Sequence, residues 1–482
     1  MITERLVVVS NRLPKVEADP KGEAQQHAPA GGLVSALRPA LEGCGGGIWL
    51  GWSGRSVPAA QAGQITEEDL GDTLLIGLDL PETDFNAYYN GFCNRALWPL
   101  CHSMPDRGKV SRLEERAYRR VNGRFARALA PRLSPGDLVW VQDYHCIPLG
   151  AELRKLRWEG RTGFFLHVPF PPHEIWSILP DPASFLRDLM EYDLVGFHTL
   201  SYRDNYVQTC VRTLGATWDG TWLSLEDRSQ RAEFFPIGID AERFLPSNEA
   251  KEERRQPVRR LTKVEGVKLI LGVDRLDYTK GIFERLTALE VLLRSRPEWR
   301  RRVSLAQICS PSRTRVPEYV EQKRLVEGAV GRINGEWGDP EWTPIRYLFR
   351  TYHPADLAWF YRESDVGLVT PLRDGMNLVA KEFVAAQDPE DPGVLVLSRF
   401  AGVAEEMQEA VLVNPYLVED VADGIARALQ MNLQERRTHH AALLLKVLER
   451  PVHRWADEFL EVLRTSGSVV STSLSQSQPD PS

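Results

Sequence analysis

The stretch Ser364–Phe383, SDVGLVTPLRDGMNLVAKEF, does most to decide the expected fold. Its apolar run Val366–Val369 predicts a strand, RDGMN at 373–377 predicts a loop, and Leu378–Phe383 predicts the start of a helix. Gly375 is expected to supply the backbone freedom of the loop. Because the first amides of a helix have no partner within it, they suit an anionic group such as a diphosphate. The alternative interpretation is an ordinary strand-to-helix turn with a capping residue.

Similar short apolar runs recur along the chain, with helical stretches between them. In the first half they are Leu6–Ser10, Thr73–Leu78, Leu138–Gln142, Gly163–His167, Leu194–Phe197 and Phe234–Ile239. In the second half they are Lys268–Val273, Val303–Ile308, Ile345–Phe349, Asp365–Thr370, Val394–Leu397 and Ala410–Val413. Continuous apolar strands between helices predict parallel sheets covered on both faces. One of those helices is predicted by the spacing of Ile282, Leu286, Leu289 and Leu293.

The length of 482 residues exceeds what one core supports, so the chain is expected to hold two domains. The fold class is α/β, with two Rossmann-like, doubly wound domains that face a central cleft. We expect an N-terminal domain over residues 1–238 and a C-terminal domain over residues 239–451. A helix at about 452–465 is expected to pack back on the first domain, and the Ser- and Pro-rich residues 466–482 are expected to be disordered.

Composition excludes several classes of protein. The net charge of −7 argues against nucleic-acid binding, and no apolar run of about 18 residues predicts a membrane span. The apolar stretch at the N-terminus is too short for a signal peptide, and the six cysteines are scattered without a Cys-x-x-Cys pair. We therefore expect a cytoplasmic protein with reduced thiols.

Polar and aromatic residues follow the predicted strands, which is where doubly wound sheets bind ligands. Arg12 follows the first strand and offers a planar fork to a phosphate. Gly31 and Gly32 precede an apolar helix and allow close approach to a phosphate, although a plain loop is the alternative. Trp52 and Tyr89 belong to a group of aromatics in polar surroundings that could stack on sugar rings, although core packing is the alternative.

Charged residues mark three further strand ends. Asp143 and His167 follow neighbouring strands and could both contact sugar hydroxyls. Arg275 and Lys280 lie at one strand-to-helix corner and suit a diphosphate leaving group, whose negative charge grows in the transition state. Asp143 could instead pair with Asp374 as a glycosidase acid and base, but the two cations would then have no task. No Asp-x-Asp triplet occurs, so we predict no metal requirement.

These motifs together resemble the retaining glycosyltransferases of the trehalose-6-phosphate synthase family. The resemblance runs from Leu6 to about Leu463. It is carried by VVVSNRLP, AGGL, GWSG, YYNGFCNRALWP, VQDYH, GFFLHVPFP, PIGID, VDRLDYTKG, GRINGEWG, WTPIRYL and DVGLVTPLRDGMNLVAKEFVAAQDP. It implies a GT-B fold with an N-terminal acceptor-binding domain and a C-terminal nucleotide-sugar-binding domain. It also implies transfer of glucose, usually from UDP-glucose, to glucose 6-phosphate, giving α,α-trehalose 6-phosphate with retention and without a metal or a cofactor.

The family's site residues carry over position by position. Those implied for the acceptor are Arg12, Trp52, Tyr89, Trp98, Asp143 and Arg313. Those implied for the donor are Gly31, Gly32, His167, Arg275, Lys280, Tyr352, Asp374, Asn377, Leu378, Val379 and Glu382. The catalytic set would be Asp143, His167, Arg275, Lys280 and Asp374.

Two other functions stay open from the sequence. One is a glucosylglycerol-phosphate synthase that uses ADP-glucose and glycerol 3-phosphate, since the base of the donor nucleotide is expected to be read by backbone atoms. The other is a nucleotide-sugar-binding protein without turnover. The expected partners are small-molecule substrates, with no nucleic acid and no membrane, and the chain could form a homo-oligomer.

Overall fold

The computed structural model describes residues 4–14, 32–245, 266–313 and 316–467. Most of the tail predicted to be disordered, from residue 468 onward, lies outside the described residues. No helix of the described part is long and apolar enough to cross a membrane.

The first sheet contains ten described strands in the order β3-β4-β2-β1-β5-β6-β7-β10-β9-β8. They are β1 (Leu6–Arg12), β2 (Gly47–Val57), β3 (Ile65–Asp69), β4 (Thr73–Pro81), β5 (Leu138–Gln142), β6 (Thr162–Phe165), β7 (Leu194–Phe197), β8 (Thr217–Trp218), β9 (Trp222–Leu225) and β10 (Arg228–Phe234). The central strands pair in parallel, whereas β3, β8 and β9 pair antiparallel at the two edges. The expectation of parallel sheets therefore holds for the centre of the first sheet and fails at its edges.

The second sheet contains six described strands, all parallel, in the order β13-β12-β11-β14-β15-β16. They are β11 (Lys268–Arg275), β12 (Val303–Ser310), β13 (Ile345–Phe349), β14 (Val366–Val369), β15 (Val394–Ser398) and β16 (Val411–Val413). All six agree with apolar runs predicted in the second half of the sequence.

Helices connect and cover both sheets. The α-helices are α1 (Gly32–Gly43), α2 (Glu82–Phe85), α3 (Trp98–Cys101), α4 (Arg112–Leu129), α5 (Leu149–Lys155), α6 (His173–Trp176), α7 (Pro182–Met190), α8 (Leu200–Leu214), α9 (Ile282–Ser295), α10 (Pro317–Trp337), α11 (Pro354–Arg362), α12 (Leu378–Ala386), α13 (Val418–Gln430), α14 (Leu433–Glu449) and α15 (Val452–Thr465). Between α2 and α3, Asn86–Leu97 forms a π-helix. The helix expected around Leu286 is α9, and its four predicted apolar positions are buried.

One predicted strand is wrong, and five described strands of the first sheet were not predicted, namely β2, β3, β8, β9 and β10. The run Phe234–Ile239 is not a strand, because β10 ends at Phe234 and the chain then leaves the sheet. Phe235 and Ile237 are apolar because they are buried in a core shared with α15. Of the five strands that were not predicted, β2 carries glycines and tryptophans in place of a continuous apolar run, and β8 has only two residues.

The last helix returns to the first sheet. Trp455 and Phe459 of α15 lie 4.9 and 4.6 Å, ring centroid to ring centroid, from Trp140 of β5. A side chain at Gly163 of β6 would collide with Phe459, so the glycine allows the helix to lie flat on the strands. The limits of the two domains stay predictions.

Candidate active site

The site residues expected from the sequence lie at the carboxyl ends of strands in both sheets. Asp143 follows β5 and His167 lies two residues after β6, whereas Arg275 ends β11 and the loop 373–377 follows β14. This is the edge at which open α/β sheets bind ligands.

Asp143 is a largely buried carboxylate, with a side chain that is 18% exposed, in a strained backbone position with φ of 72°. One carboxylate oxygen, Oδ1, accepts a hydrogen bond from the backbone N–H of His167 at 3.2 Å. Burial raises the pKa of Asp143 to about 6, although that hydrogen bond and the nearby Arg275 and Arg313 oppose the rise. Both the strained backbone and the burial of the charged carboxylate lower the stability of the folded protein. Such a destabilised group is typical of a functional site.

His167 is held by its neighbour on β5. Its Nε2 atom lies 2.9 Å from Oε1 of Gln142, a contact in which Nε2–H donates. Burial lowers the pKa of His167 to about 3, so the ring is neutral at physiological pH. With Nε2 occupied, the Nδ1 atom of the neutral ring is an acceptor that can meet a hydroxyl group.

Lys280 and Asp374 form a buried ion pair between two strand ends of the second sheet. Asn377 donates from Nδ2 to the same oxygen, Oδ2 of Asp374, at 3.0 Å. Burial alone would raise the pKa of Asp374, but the charge of Lys280 outweighs it and holds that pKa below its ordinary value. Asp374 is therefore an ionised carboxylate that already accepts two hydrogen bonds.

Arg275 is exposed at the end of β11. Within the described residues its guanidinium forms no ion pair, and it lies 5.8 Å from the centroid of the Trp98 ring. It is close enough to lower the pKa values of both Asp143 and Asp374. An exposed cation between two carboxylates from different sheets is available to an anionic ligand in the cleft.

Arg313 is a buried cation with a side chain that is 5% exposed. Its guanidinium carbon lies 4.0 Å from the centroid of the Trp98 ring, within cation–π distance. Its Nη1 donates to Oδ2 of Asp277 at 3.1 Å, and its Nη2 donates to the hydroxyl of Tyr144 at 3.2 Å. Neither Asp277 nor Tyr144 was assigned a role from the sequence, although they lie inside the quoted motifs VDRLDYTKG and VQDYH.

The remaining aromatics expected at the acceptor form a stack. Trp52 lies 4.3 Å from Phe85, which lies 5.3 Å from Tyr89, ring centroid to ring centroid. The guanidinium carbon of Arg12 lies 5.1 Å from the Trp52 ring. Tyr89 is carried by the π-helix Asn86–Leu97, a rare form that is frequent at functional sites. The sequence motif YYNGFCNRALWP gave no sign of that helix type.

The donor-side helix α12 begins without a side-chain cap. Asn377 precedes it with φ of 76°, and its side chain makes no capping hydrogen bond. The interpretation as an ordinary capped turn is therefore wrong, and the amides of Leu378 and Val379 remain available to an anion. Glu382 on α12 accepts from the hydroxyl of Tyr361 at 2.8 Å, and burial raises its pKa to about 6.

Tyr352 and the glycine pair lie further along the donor side. Tyr352 packs edge-on against Phe360, with ring centroids 5.0 Å apart. Gly32 is the first residue of α1, and Gly31 lies outside the described residues.

Three contacts join the loop 373–377 to the first sheet. A Cβ atom on Gly375 would lie 2.0 Å from the backbone oxygen of His167, so this position needs a glycine because the backbones approach closely. The hydroxyl of Tyr202 donates to the backbone oxygen of Asp374 at 2.9 Å, and Arg373 donates to Ser103 Oγ at 2.9 Å. The sequence expectation for Gly375 was backbone freedom, but the positive φ of this loop belongs to Asn377.

Backbone strain concentrates around this site. Of the seven non-glycine residues with positive φ in the described ranges, four lie here: Asp143, Arg313, Asn377 and Ser103, the partner of Arg373. The other three are Arg157, Glu226 and Arg301. Such conformations cost on the order of 1–3 kcal/mol each and persist where the surroundings hold them in place. Within the described ranges, no group of three or more His, Cys, Asp or Glu side chains is placed to hold a metal ion.

Comparison with known proteins assigns the family. The profile of Glycosyltransferase family 20 matches residues 4–465. A trehalose-6-phosphate synthase of Sinorhizobium fredii is 45% identical over 464 residues, which cover 96% of this chain and 98% of that protein. A trehalose-6-phosphate synthase of Klebsiella pneumoniae is 41% identical over 466 residues, which cover 95% of each.

Solved structures agree in fold. An α,α-trehalose-phosphate synthase (UDP-forming) of Burkholderia xenovorans in complex with glucose 6-phosphate has a TM-score of 0.89 and 38% identity over 95% of this chain and 100% of that chain. An E. coli trehalose-6-phosphate structure bound with UDP-2-fluoro glucose has a TM-score of 0.89 and 38% identity over 96% of this chain and 100% of that chain. The predicted α/β class with a GT-B fold is confirmed. The chain therefore belongs to glycosyltransferase family 20.

Proposed function

We propose that this protein transfers glucose from UDP-glucose to glucose 6-phosphate with retention, giving α,α-trehalose 6-phosphate and UDP. The proposal is supported by relatives named trehalose-6-phosphate synthase and by similar structures that hold glucose 6-phosphate or UDP-2-fluoro glucose. The arrangement of charge in the cleft also supports it.

The acceptor side combines two cations with aromatic rings and a carboxylate. Arg313 is rigidly held beside Trp98, and Arg12 lies over Trp52. Two guanidinium groups suit the phosphate of glucose 6-phosphate, because each can form paired hydrogen bonds with it. Asp143, with its ionised form costly to maintain, would accept hydrogen bonds from the glucose hydroxyls.

The donor side combines two cations with an uncapped helix start. Arg275 and Lys280 would meet the diphosphate, and the amides of Leu378 and Val379 would add two further donors. His167 and Asp374 would contact the donor glucose, and Glu382 would accept from the ribose hydroxyls.

The mechanism we infer needs no protein nucleophile. The bond between the glucose C1 and the oxygen of UDP breaks, and UDP leaves with the electron pair. The acceptor hydroxyl oxygen bonds to C1 on the face of the glucose ring from which UDP leaves. Its proton passes to the departing phosphate oxygen. Arg275 and Lys280 stabilise the charge that builds on that phosphate.

A glycosidase-like acid and base pair fits the geometry less well. Asp374 would have to act as a nucleophile or a base, yet its carboxylate already accepts from Lys280 and Asn377. The observation that best carries the transferase proposal is the approach of the loop 373–377 to His167. That approach brings the Lys280–Asp374 pair to the same cleft as Asp143.

The test measures nucleotide release from UDP-, ADP- and GDP-glucose, each against glucose 6-phosphate and glycerol 3-phosphate, with EDTA present. The product is identified by mass and by anomeric NMR. Release from UDP-glucose with glucose 6-phosphate, giving an α,α-linked disaccharide phosphate, is the expected result. Release with glycerol 3-phosphate alone would assign the glucosylglycerol reaction, and donor binding without release would assign a non-catalytic protein.

A further inference from the structure

We propose that Asp277 is a positioning residue that gives the acceptor site its preference for a phosphorylated sugar, by fixing Arg313 and Trp98. This inference rests on the proposed function, because it assigns Arg313 to the acceptor phosphate. Asp277 itself would touch neither substrate.

Asp277 is a fully buried carboxylate surrounded by hydrogen-bond donors. Its Oδ1 atom accepts from the backbone N–H and the hydroxyl of Thr279, both at 3.0 Å, and from Nε1 of Trp98 at 3.4 Å. Its Oδ2 atom accepts from the hydroxyl of Tyr319 at 2.7 Å and from Arg313 at 3.1 Å. A carboxylate with donors on both oxygens fixes the groups around it.

The charge of Asp277 is retained at neutral pH. Burial by itself would raise the pKa of this carboxyl, but Arg313 and Arg275 outweigh the effect of burial and hold that pKa below its ordinary value. The ion pair with Arg313 therefore persists at neutral pH and engages Nη1 of Arg313, which leaves Nε and the second hydrogen of Nη2 for the acceptor phosphate.

Arg313 is fixed from two sides. Nη1 faces Asp277 and Tyr319, and Nη2 donates to the hydroxyl of Tyr144. The face of the guanidinium is covered by the Trp98 ring at 4.0 Å. A guanidinium clamped in this way loses little conformational entropy when a phosphate arrives, and that is why its position contributes to affinity.

Asp277 also connects the acceptor side to the donor side. Its hydrogen bonds to Thr279 shape the turn that contains Lys280. The backbone oxygen of Thr279 accepts from the amide of Leu372 at 2.8 Å, just before the loop 373–377. The phosphate preference should therefore be measured as a ratio between acceptors, in which effects on the donor cancel.

The test is Asp277→Asn, assayed with glucose 6-phosphate and with glucose at saturating UDP-glucose. An amide keeps the shape of the carboxylate but carries two donor hydrogens on one atom. Each carboxylate oxygen faces a group that can only donate, which is Arg313 on one side and the Thr279 N–H with the Trp98 indole on the other. The amide nitrogen must therefore face one of these donors, and that side of the cluster is released. We expect the ratio of kcat/KM for glucose 6-phosphate to kcat/KM for glucose to fall about 30-fold or more, mainly through a higher KM for glucose 6-phosphate.

Two companion variants separate positioning from stability. Tyr319→Phe removes one donor from Asp277 and one acceptor from Arg313, and it should lower the ratio by roughly 3- to 10-fold. Asp274→Asn is the matched control, because Asp274 is a buried carboxylate near the end of β11, three residues before Asp277, and pairs with Arg285 at 2.6 Å. It should change thermal stability while the ratio stays within about 3-fold of the wild type.

The outcomes distinguish this inference from the proposed function. A wild-type enzyme without a preference for glucose 6-phosphate would overturn the proposed function. A clear wild-type preference that survives both Asp277→Asn and Tyr319→Phe would overturn the role of Asp277. If Asp277→Asn does not fold, Tyr319→Phe alone decides between the two results.

Discussion

At the scale of single residues, the site holds ionisable groups in buried positions that disfavour their charged forms. Asp143 is the clearest case, because burial raises its pKa from 3.8 to about 6. A carboxyl whose pKa is raised by folding stabilises the folded state below pH 4 and loses that contribution as the pH rises past 6. The ionised form at neutral pH therefore costs stability, on the order of 1–3 kcal/mol.

Asp143→Asn should consequently raise stability while it removes activity. The amide still accepts from the His167 backbone, but it carries no charge to bury. We expect a higher unfolding temperature than that of the wild type at pH 7.5, a difference that vanishes near pH 4, and a fall in transfer of about 100-fold or more. Calorimetry at the two pH values and a steady-state assay measure these effects; a variant less stable than wild type at pH 7.5 would refute the argument.

Lys280 offers a second test at this scale. Lys280→Met removes the cation proposed at the leaving group and leaves Asp374 without its ion pair, so we expect kcat to fall by about 100- to 1,000-fold. The matched control is Lys268→Met at the opposite end of β11, where Lys268 pairs with Asp365 at 3.4 Å and its side chain is 40% exposed. That control should change kcat by less than about 3-fold; equal losses in both variants would argue against a leaving-group role.

At the scale of elements, the strand–loop–helix unit β14–loop–α12 gains its geometry from two residues. Asn377 takes the left-handed conformation that starts α12, and Gly375 allows the loop to touch the backbone of His167. The uncapped amides of the helix and the carboxylate of Asp374 then face the same cleft. The position of this unit depends on its contact with the backbone of His167 after β6. Its own local sequence does not specify that contact.

Gly375→Ala tests that contact. The added Cβ would lie 2.0 Å from the His167 oxygen, and the collision is with backbone that cannot rotate away. We expect kcat/KM for the donor to fall by about 10-fold or more, with the unfolding temperature little changed, because the loop can move outward as a unit. Gly328→Ala is the control: on α10 its Cβ meets nothing within 4 Å, so it should keep full activity and gain up to about 1 kcal/mol.

At the scale of the whole molecule, single polar contacts join the loops of the two sheets across the cleft, in addition to the pairs Trp98–Asp277 and Arg313–Tyr144 and the ion pairs of Glu318 with Arg95 and Lys109. Tyr202 to Asp374 and Arg373 to Ser103 are single hydrogen bonds from one sheet's loops to the other's. Contacts of this kind are weak enough to break and re-form during turnover.

Tyr202→Phe removes the hydrogen bond to the backbone oxygen of Asp374, together with the contact of the hydroxyl with Arg373. We expect a loss of about 2- to 12-fold in kcat/KM for UDP-glucose, the value of one ordinary hydrogen bond. Tyr206→Phe on the same helix is the control, since the hydroxyl of Tyr206 bonds to Gln230 inside the first core. This control should lower stability without changing kcat/KM. If Tyr206→Phe lowered kcat/KM as much as Tyr202→Phe, the hydrogen bond from Tyr202 to Asp374 would have no specific role in turnover.

Domain closure is the matching prediction for the molecule in solution. Small-angle scattering should give a smaller radius of gyration with UDP and glucose 6-phosphate together than without ligand, because both sheets contribute to the proposed site. Identical curves in the two conditions would mean that the two halves keep one arrangement throughout.

The sequence by itself determined which residues end the strands. Period and composition predicted the strands of the second sheet and α9, and the placement of Asp143, His167, Arg275, Lys280 and Asp374 after strands. Local patterns can predict these features because a buried strand consists of apolar residues that are visible in the sequence. They failed at Phe234–Ile239, whose apolar side chains are buried by a helix that comes more than 200 residues later. They also failed at five strands of the first sheet, among them β2, where glycines interrupt the apolar run.

Tertiary structure decided which of those residues meet. The carboxylate of Asp277 and the indole of Trp98 are 179 residues apart in the chain, and Tyr202 and Asp374 are 172 apart. The sequence around one residue of such a pair does not identify the other residue, because the packing of the two sheets, and not local periodicity, creates the contact. The pKa of Asp143 and the need for a glycine at 375 follow from the same packing, since burial and close approach exist only once the chain has folded.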